Sequence, residues 1–269
     1  MLEIWKGDKG PRVVALQKLI NQVLETDLLS VDGIFGPLTE EGVRRVQARL
    51  DIPVTGWVDR NTWNAIEAVT PYHVVNVADI YDSSRDRVMP EDFRNPYLIR
   101  LGGMSGGLQQ FVYEILRRTR KRGSIVFLRI FGHGRSGLMA VSAGDGRLRD
   151  YRGIPIELPP EQKVNHEEHH SILTITTIRR SRTDLMRLRP LFCPYASVEL
   201  HGCRVGDGDD GKRLLRALAF VLGVPVTAGI EKQSFGEITA HRFEGRVRTV
   251  YPRPAVNLRT WIRRCVNHG

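Results

Sequence analysis

An apolar run at residues 197–206 ends in a glycine and a cysteine, and it constrains the fold more than any other part of the chain. Residues 212–222 follow, with apolar side chains at the spacing of one helical face. Gly223 ends this helix, and a second apolar run fills residues 224–230. A strand, a helix and a strand in this order predict a parallel α/β unit. Cys203 then lies at the carboxyl end of a strand, where open parallel sheets form ligand crevices.

A similar apolar run at residues 124–131 ends in Gly132-His133-Gly134. Before it, the apolar residues of 108–119 recur at helical spacing, which predicts a helix followed by a strand. Neighbouring parallel strands end at the same edge of a sheet, so we expect His133 to lie near Cys203. The predicted fold class of this half is α/β with a mostly parallel sheet.

The length and the cysteine content restrict the organisation of the chain. With 269 residues and 41% hydrophobic content, the chain can bury a large core, and we favour a small domain followed by a larger one. Three cysteines cannot all pair within one chain, which favours synthesis in a reducing compartment. The sequence has no apolar run long enough for a transmembrane segment and no start typical of a secretory signal.

The formal net charge of +10 resides in the second part of the chain. Residues 1–70 contain eight Lys/Arg and ten Asp/Glu, whereas the remainder contains 32 and 20. A basic surface can attract nucleic acid, anionic membranes or acidic polymers. The arginines are scattered without interleaved aromatic residues, so we interpret them as a solvated surface and expect no nucleic-acid partner.

The pattern of residues 1–70 indicates three short helices. Asp8 is predicted to cap the first, Pro37 to open the second and Asp59 to start the third. Glycine, an apolar pair and threonine occur at 33–39 and again at 56–62, which indicates a weak internal repeat of a turn that leads into a helix.

Four segments of this region closely resemble the three-helix peptidoglycan-binding domain of bacterial wall hydrolases. They are residues 7–17, 32–40, 46–47 and 54–57. The resemblance covers about residues 5–68, and we assign the domain to residues 1–70. It implies that peptidoglycan binds beside the turn at 32–39, with Asp32, Gly33, Phe35 and Thr39 as binding residues. Gly33 and Phe35 also have a structural interpretation as turn and core residues.

Residues 71–96 are predicted to be a linker that includes a possible edge strand, and residues 97–269 to form the larger domain. Within it, residues 144–182 look like an insertion that ends in a strand at 172–176. Residues 235–251 alternate weakly, as a peripheral hairpin would. Cys193, just before a proline, is predicted to end a helix.

Cys203 and His133 are the candidate catalytic residues. A cysteine attacks as the thiolate and needs a nearby base or positive charge to react at neutral pH. The backbone N–H groups of Cys203 and Gly134 are candidates to hold the oxyanion that forms on an attacked carbonyl. A metal site is the alternative, with His166, His169, His170 and His201 beside Cys203 as ligands; we expect neither a metal nor a cofactor.

The same residues resemble caspase-like cysteine peptidases of clan CD, a group that includes caspases, gingipains, separases and bacterial relatives. The resemblance spans roughly residues 76–250 and is carried by the segments 132–137, 201–206 and 224–228. It implies a caspase-like α/β/α sandwich and a catalytic dyad of His133 and Cys203. His201-Gly202 replaces the small or Gln-Ala pair that usually precedes the thiol in this family.

The residues leave two functions and the substrate specificity open. Asp145 or Asp207 could bind a basic side chain, whereas Arg135, Arg179 or Arg204 could bind an acidic one. One hypothesis is an endopeptidase carried to the bacterial envelope by its wall-binding domain, acting there or after delivery by a non-classical secretion system. The other is an inactive adaptor that binds cell wall or a secretion apparatus. The expected partners are a protein or peptide substrate, peptidoglycan and secretion machinery.

Overall fold

The structure is a computed structural model that describes residues 3–79, 98–101, 107–141, 171–233 and 242–267. Its α-helices are α1 (Pro11–Leu24), α2 (Pro37–Arg49), α3 (Arg60–Val69), α4 (Gly107–Arg118), α5 (Ile175–Arg180), α6 (Arg182–Met186), α7 (Gly208–Leu222) and α8 (Leu258–Asn267). Its strands are β1 (His73–Asp79), β2 (Leu98–Leu101), β3 (Ile125–Phe131), β4 (Gly134–Arg135), β5 (Leu138–Ala140), β6 (Ile172–Leu173), β7 (Phe192–His201), β8 (Val226–Gly229) and β9 (Val247–Val250).

The larger sheet has six strands in the order β2-β1-β3-β7-β8-β9. All neighbours pair in parallel except β8 and β9, which are antiparallel. This arrangement confirms the predicted α/β fold with a three-helix N-terminal region and a mostly parallel sheet. A second, three-stranded antiparallel sheet joins β4, β5 and β6.

Strand β1 corrects the prediction of an edge strand within 71–96. It pairs with β2 on one side and β3 on the other, so it is an interior strand of the sheet. Val74, Val75 and Val77 are fully buried. A strand that is covered on both faces has consecutive apolar residues, and the run of valines in β1 fits its interior position in the sheet.

Helical layers cover both faces of the sheet. The parallel connections that contain α4 and α7 place these helices on one face, as right-handed crossovers require. On the other face, α1 and α8 pack against β7, and Trp63 of α3 meets Phe127 of β3 edge to face at 5.5 Å. One buried apolar cluster runs through the three-helix region and the sheet. The N-terminal helices therefore form part of the second layer.

Two buried glutamines organise the three-helix region and confirm the internal repeat. The Gln17 amide donates to Asp32 Oδ1 and Thr39 Oγ1 and accepts from the Gly33 N–H. Gln47 repeats this arrangement in the second copy, where it donates to Thr55 and Thr62 and accepts from Gly56. Each glutamine satisfies the polar groups of a tight turn and fixes it to a helix.

Several local predictions are wrong at their boundaries. The N-cap of α1 is Gly10 rather than Asp8. Cys193 lies in β7, because that strand begins at Phe192 instead of the predicted 197. The strand predicted at 172–176 stops at Leu173, since Thr174 caps α5 through a capping box. Much of the predicted 235–251 hairpin lies outside the described residues, and β9 pairs with β8.

Glu67 lies where α3 meets the first strand of the sheet. Its Oε1 accepts a hydrogen bond from the Val74 N–H at 2.6 Å. Burial raises the pKa of Glu67 to about 7, although the bond from Val74 opposes this change. The folded protein therefore binds a proton at Glu67 over a pH range in which the unfolded chain has released it.

We predict that Glu67 makes the protein less stable as the pH rises. Its contribution is fully present below about pH 4.5 and is lost as the pH rises through about 7, by on the order of 1–3 kcal/mol. Glu67→Gln stays neutral and keeps an acceptor for Val74. The free energy of unfolding, measured between pH 4.5 and 8, should decline less in this variant than in the wild type. Glu41→Gln, at an exposed carboxylate, is the control and should follow the wild type; identical curves for all three would contradict the assignment.

Candidate active site

The pairing of β3 with β7 brings the two candidate catalytic residues together. The register joins Phe131 to His201, and each strand continues through one glycine to a candidate residue. The Gly132 N–H donates to the His201 carbonyl at 3.4 Å, which extends the pairing beyond the strands. His133 and Cys203 therefore occupy corresponding positions at the carboxyl edge of the sheet, as predicted. His133 is exposed and Cys203 is half-buried.

Close glycine contacts and hydrogen bonds hold the segment after His133 against the segment after Cys203. A Cβ at Gly134 would lie 3.2 Å from the Cys203 carbonyl oxygen and 3.3 Å from its nitrogen, and it would collide with Val205. Further along, the Gly137 N–H donates to the Val205 carbonyl at 3.2 Å, and Ser136 Oγ donates to the Asp207 carbonyl at 2.7 Å. The backbone after His133 is thus bonded to the turn after Cys203.

The turn after Cys203 is tight. Arg204 has a φ of 55°, in the left-handed region that costs a side-chain-bearing residue about 1 kcal/mol or more. Its N–H donates to the Glu231 carbonyl at 3.0 Å. Asp207 then caps α7 by accepting from the Gly208 N–H. Arg248 of β9 donates to the carbonyls of Gly206 and Gly208, so this turn is fixed from two sides.

A cleft of about 650 Å³ opens beside the thiol. Its lining residues are Cys203, Arg204, Asp207, Ile230, Glu231, Lys232 and Arg246. Three predicted site residues, Cys203, Arg204 and Asp207, therefore share one cleft. Arg246 pairs with Glu231 at 2.9 Å, and Arg204 lies 4.0 Å from Asp207. Asp145, the remaining predicted substrate-binding residue, lies outside the described residues.

The Cys203 thiol donates to the Gln233 backbone carbonyl, with 3.3 Å between Sγ and the oxygen. Gln233 was not predicted as a site residue. It follows β8, whose carboxyl end lies beside that of β7. The position of a strand end in a parallel sheet was therefore the signal that could have identified Gln233 and the neighbouring cleft residues.

Behind the thiol, a buried polar cluster occupies the face of β7 that α1 covers. Glu199 pairs with Arg12 of α1 at 2.8 Å and with Arg129 of β3 at 3.4 Å. Burial alone would raise the pKa of Glu199, but the charge of Arg12, the hydrogen bond from His201 and the charge of Arg129 together lower it. Glu199 is therefore ionised at neutral pH.

His201 belongs to this buried cluster. Burial and the charge of Arg129 lower the pKa of His201, so its ring is neutral and donates from Nε2 to Glu199 at 2.9 Å. The ring is stacked between Phe131 and Phe243, with centroids at 4.7 and 4.3 Å. His166, His169 and His170 lie outside the described residues. Within the described ranges, no group of three or more His, Cys, Asp or Glu side chains could hold a metal ion.

Of the four residues predicted to bind peptidoglycan, Asp32, Gly33 and Phe35 lie in the turn before α2 and Thr39 lies in α2, and only Asp32 is exposed. Phe35 and Thr39 are 1% and 2% exposed. Their side chains cannot contact a polymer, and this part of the prediction is corrected. Thr39 is instead held by Gln17. Two apolar side chains that were not predicted as site residues are exposed here, Ile34 in the turn (43%) and Leu38 at the start of α2 (73%). Exposed apolar side chains of this kind are typical of binding surfaces.

Comparison with known proteins identifies the N-terminal region. Residues 9–66 match the family model described as "Putative peptidoglycan binding domain". This match confirms the first of the two resemblances. A comparison with curated proteins gave no match.

Two solved structures are similar to part of the chain. The SleB N-terminal domain is 27% identical, with 24% of this chain and 89% of that chain covered and a TM-score of 0.23. A fused zinc-dependent amidase/peptidase with a peptidoglycan-binding domain, from Clostridium acetobutylicum, is 23% identical, with 34% of this chain and 42% of that chain covered and a TM-score of 0.23. The resemblance to caspase-like peptidases stays a prediction.

We predict that Cys203 is the first cysteine to react with an alkylating reagent. Cys193 and Cys265 are 2% and 1% exposed, and burial raises the pKa of each thiol to about 12. Cys203 is half-buried and lines the cleft. Iodoacetamide treatment of the folded protein at pH 7, followed by peptide mass mapping, should modify Cys203 at least about tenfold faster than the other two. Equal rates would contradict the assignment of Cys203 as the accessible thiol.

Proposed function

We propose that the protein is a caspase-like cysteine endopeptidase that hydrolyses peptide bonds with Cys203 as nucleophile and His133 as base. The observation that carries this proposal is the pairing of β3 and β7, whose register ends at Phe131 and His201, two residues before His133 and Cys203. The cleft beside Cys203 supports it, because it provides a site for a substrate chain next to the thiol.

The proposed reaction begins when the Cys203 thiol leaves its hydrogen bond to the Gln233 carbonyl and transfers its proton to His133. The thiolate then attacks the peptide carbonyl, and the N–H groups of Gly134 and Cys203 hold the resulting oxyanion. His133 returns the proton to the leaving amine, which leaves a thioester on Cys203. Water hydrolyses the thioester, and the thiol recovers its proton. These steps need no metal and no cofactor.

Paired charges in the cleft give the substrate two kinds of anchor. Arg204, Lys232 and Arg246 can bind carboxylates, while Asp207 and Glu231 can bind cations. The pairs Arg246–Glu231 and Arg204–Asp207 would have to open for either kind of side chain. This arrangement leaves both predicted specificities open.

We also propose that residues 9–66 bind peptidoglycan and retain the protein at the bacterial cell envelope, where the peptidase acts on protein or peptide substrates. The family match supports this step. Among the described residues, no helix is long and apolar enough to cross a membrane. Delivery by a non-classical secretion machine belongs to the same proposal.

An inactive adaptor is the second candidate function, and one contact favours it. The Cys203 thiol donates to the backbone carbonyl of Gln233, a contact that must open before the sulfur can attack. A protein that only binds partners would have no reason to open this hydrogen bond. The adaptor would bind cell wall through its N-terminal domain and a protein through the α/β region.

We predict that peptide cleavage depends on the dyad. Cys203→Ala should abolish cleavage of a casein or peptide-library substrate, because no other nucleophile takes its place. His133→Ala should lower kcat/KM by about 10²–10⁴-fold, the usual contribution of a general base. Both variants should keep the wild-type Tm.

The matched control is Cys265→Ala, since Cys265 is a buried thiol in α8 that hydrogen-bonds to the Pro194 carbonyl. This variant should retain activity, and chelators should not inhibit the wild type. Undiminished cleavage by folded Cys203→Ala would refute the mechanism. Absence of cleavage by the wild type on any peptide library would favour the adaptor.

We predict that the exposed turn of the N-terminal domain contributes to peptidoglycan binding. Leu38→Ser, at a side chain that is 73% exposed where this turn enters α2, should weaken co-sedimentation of the full chain with purified peptidoglycan by several fold. The matched control is Val54→Ser, at a side chain 50% exposed in the same domain but outside this turn. Equal sedimentation of both variants and the wild type at 0.3 M salt would show that this turn is not the binding site.

A further inference from the structure

A chain of contacts connects the N-terminal domain to the Cys203 thiol. It begins at Gln233, whose carbonyl accepts the thiol proton. The Gln233 side chain donates to the Glu244 carbonyl at 2.9 Å and accepts from the Glu244 N–H at 2.9 Å. These two bonds fix Gln233 to residues 242–244, so the position of its carbonyl depends on that segment.

Residues 242–244 are held in turn by the N-terminal domain. Arg242 pairs with Asp8 at 2.9 Å, and its guanidinium lies 4.4 Å from the ring centre of Trp5. Phe243 stacks on His201, and the Arg12 guanidinium lies 5.6 Å from the Phe243 ring centre. Residues 242–244 are therefore held between α1, the residues that precede α1 and the end of β7.

The Asp8–Arg242 ion pair, at the far end of this chain of contacts, lies next to the turn that contains Asp32. The Phe35 N–H donates to the Asp8 carbonyl, and the Gly7 N–H donates to the Phe35 carbonyl, both at 2.9 Å. Asp8, whose carboxylate holds Arg242, is thus hydrogen-bonded through its backbone to the turn predicted to bind peptidoglycan. A rearrangement of this turn would move the partner of Arg242.

We propose that the N-terminal domain restrains the Cys203 thiol through Arg242, so that it regulates the reactivity of the site as well as retaining the protein at the wall. The inference rests on the proposed function only for its biological meaning. Physically, the hydrogen bond to the Gln233 carbonyl holds the thiol in place, and the sulfur must leave this contact before it can give up its proton and attack. Release of residues 242–244 loosens that bond and makes the thiol more reactive.

The test measures the alkylation rate of Cys203 by iodoacetamide at pH 7 in Asp8→Asn and in Arg242→Gln. Each variant removes one partner of the same ion pair. Each should accelerate alkylation of Cys203 by about two- to tenfold, the effect of weakening one net hydrogen bond. The double variant should be no faster than the faster single variant, because both act on one contact. Unchanged or slower alkylation in both single variants would overturn the proposal.

Glu25→Gln is the matched control. It breaks the exposed Arg49–Glu25 ion pair of the same domain, which has no part in the chain of contacts. This variant should react at the wild-type rate, and an equal acceleration in it would also overturn the proposal. Cys193 and Cys265 report the folded state in every sample, since alkylation of these buried thiols would reveal unfolding.

The readout separates this inference from the proposed peptidase activity. Faster alkylation in Asp8→Asn and Arg242→Gln supports the restraint even where no peptide is cleaved, and the peptidase proposal alone then fails. Cleavage that depends on Cys203, combined with unchanged alkylation in both variants, refutes the restraint and leaves the peptidase proposal in place.

Discussion

The buried carboxylate of Glu199 joins the two halves of the molecule. An ionised group inside a protein is costly unless it is paired, and Glu199 is paired with Arg12 from the first helix and Arg129 from the neighbouring strand. His201 donates a further hydrogen bond. Loss of one partner of such a pair usually costs about 3–5 kcal/mol. The N-terminal helices thus supply a positive charge that the buried carboxylate of the sheet requires, in addition to covering the apolar face of the sheet.

The Glu199–Arg12 contact bears on what the N-terminal domain is proposed to do besides binding the wall. A wall-binding module on a flexible linker would only concentrate the second domain near its substrate. Here α1 contacts β7 directly through the Arg12–Glu199 pair. Arg242 and Phe243 lie between the N-terminal domain and Gln233, whose carbonyl accepts the thiol hydrogen bond. These contacts are the physical route on which the proposed link between wall binding and thiol reactivity rests.

Much of the fold and the main candidate site could be predicted from local patterns. Apolar runs identified β3, β7 and β8, and strand ends identified His133 and Cys203, because a parallel sheet gathers its carboxyl ends at one edge. The polar residues that complete the site had no such signal. Glu199 looks like an interruption of a strand until Arg12 is placed opposite it, and Arg242 acquires its role only from contact with Asp8. Such pairs depend on the tertiary structure and leave no periodic pattern.

The β3–β7 register places His133 and Cys203 at corresponding positions, and a cross-link between the two positions tests this placement most directly. Residues at corresponding positions on adjacent strands lie within the Cα separation that a disulfide requires, about 4.4–6.8 Å. Under mild oxidation, His133→Cys should form an intramolecular disulfide with Cys203, detected by non-reducing peptide mapping, while Cys193 and Cys265 stay reduced. A folded His133→Cys protein in which Cys203 remains a free thiol would contradict the register and the dyad built on it.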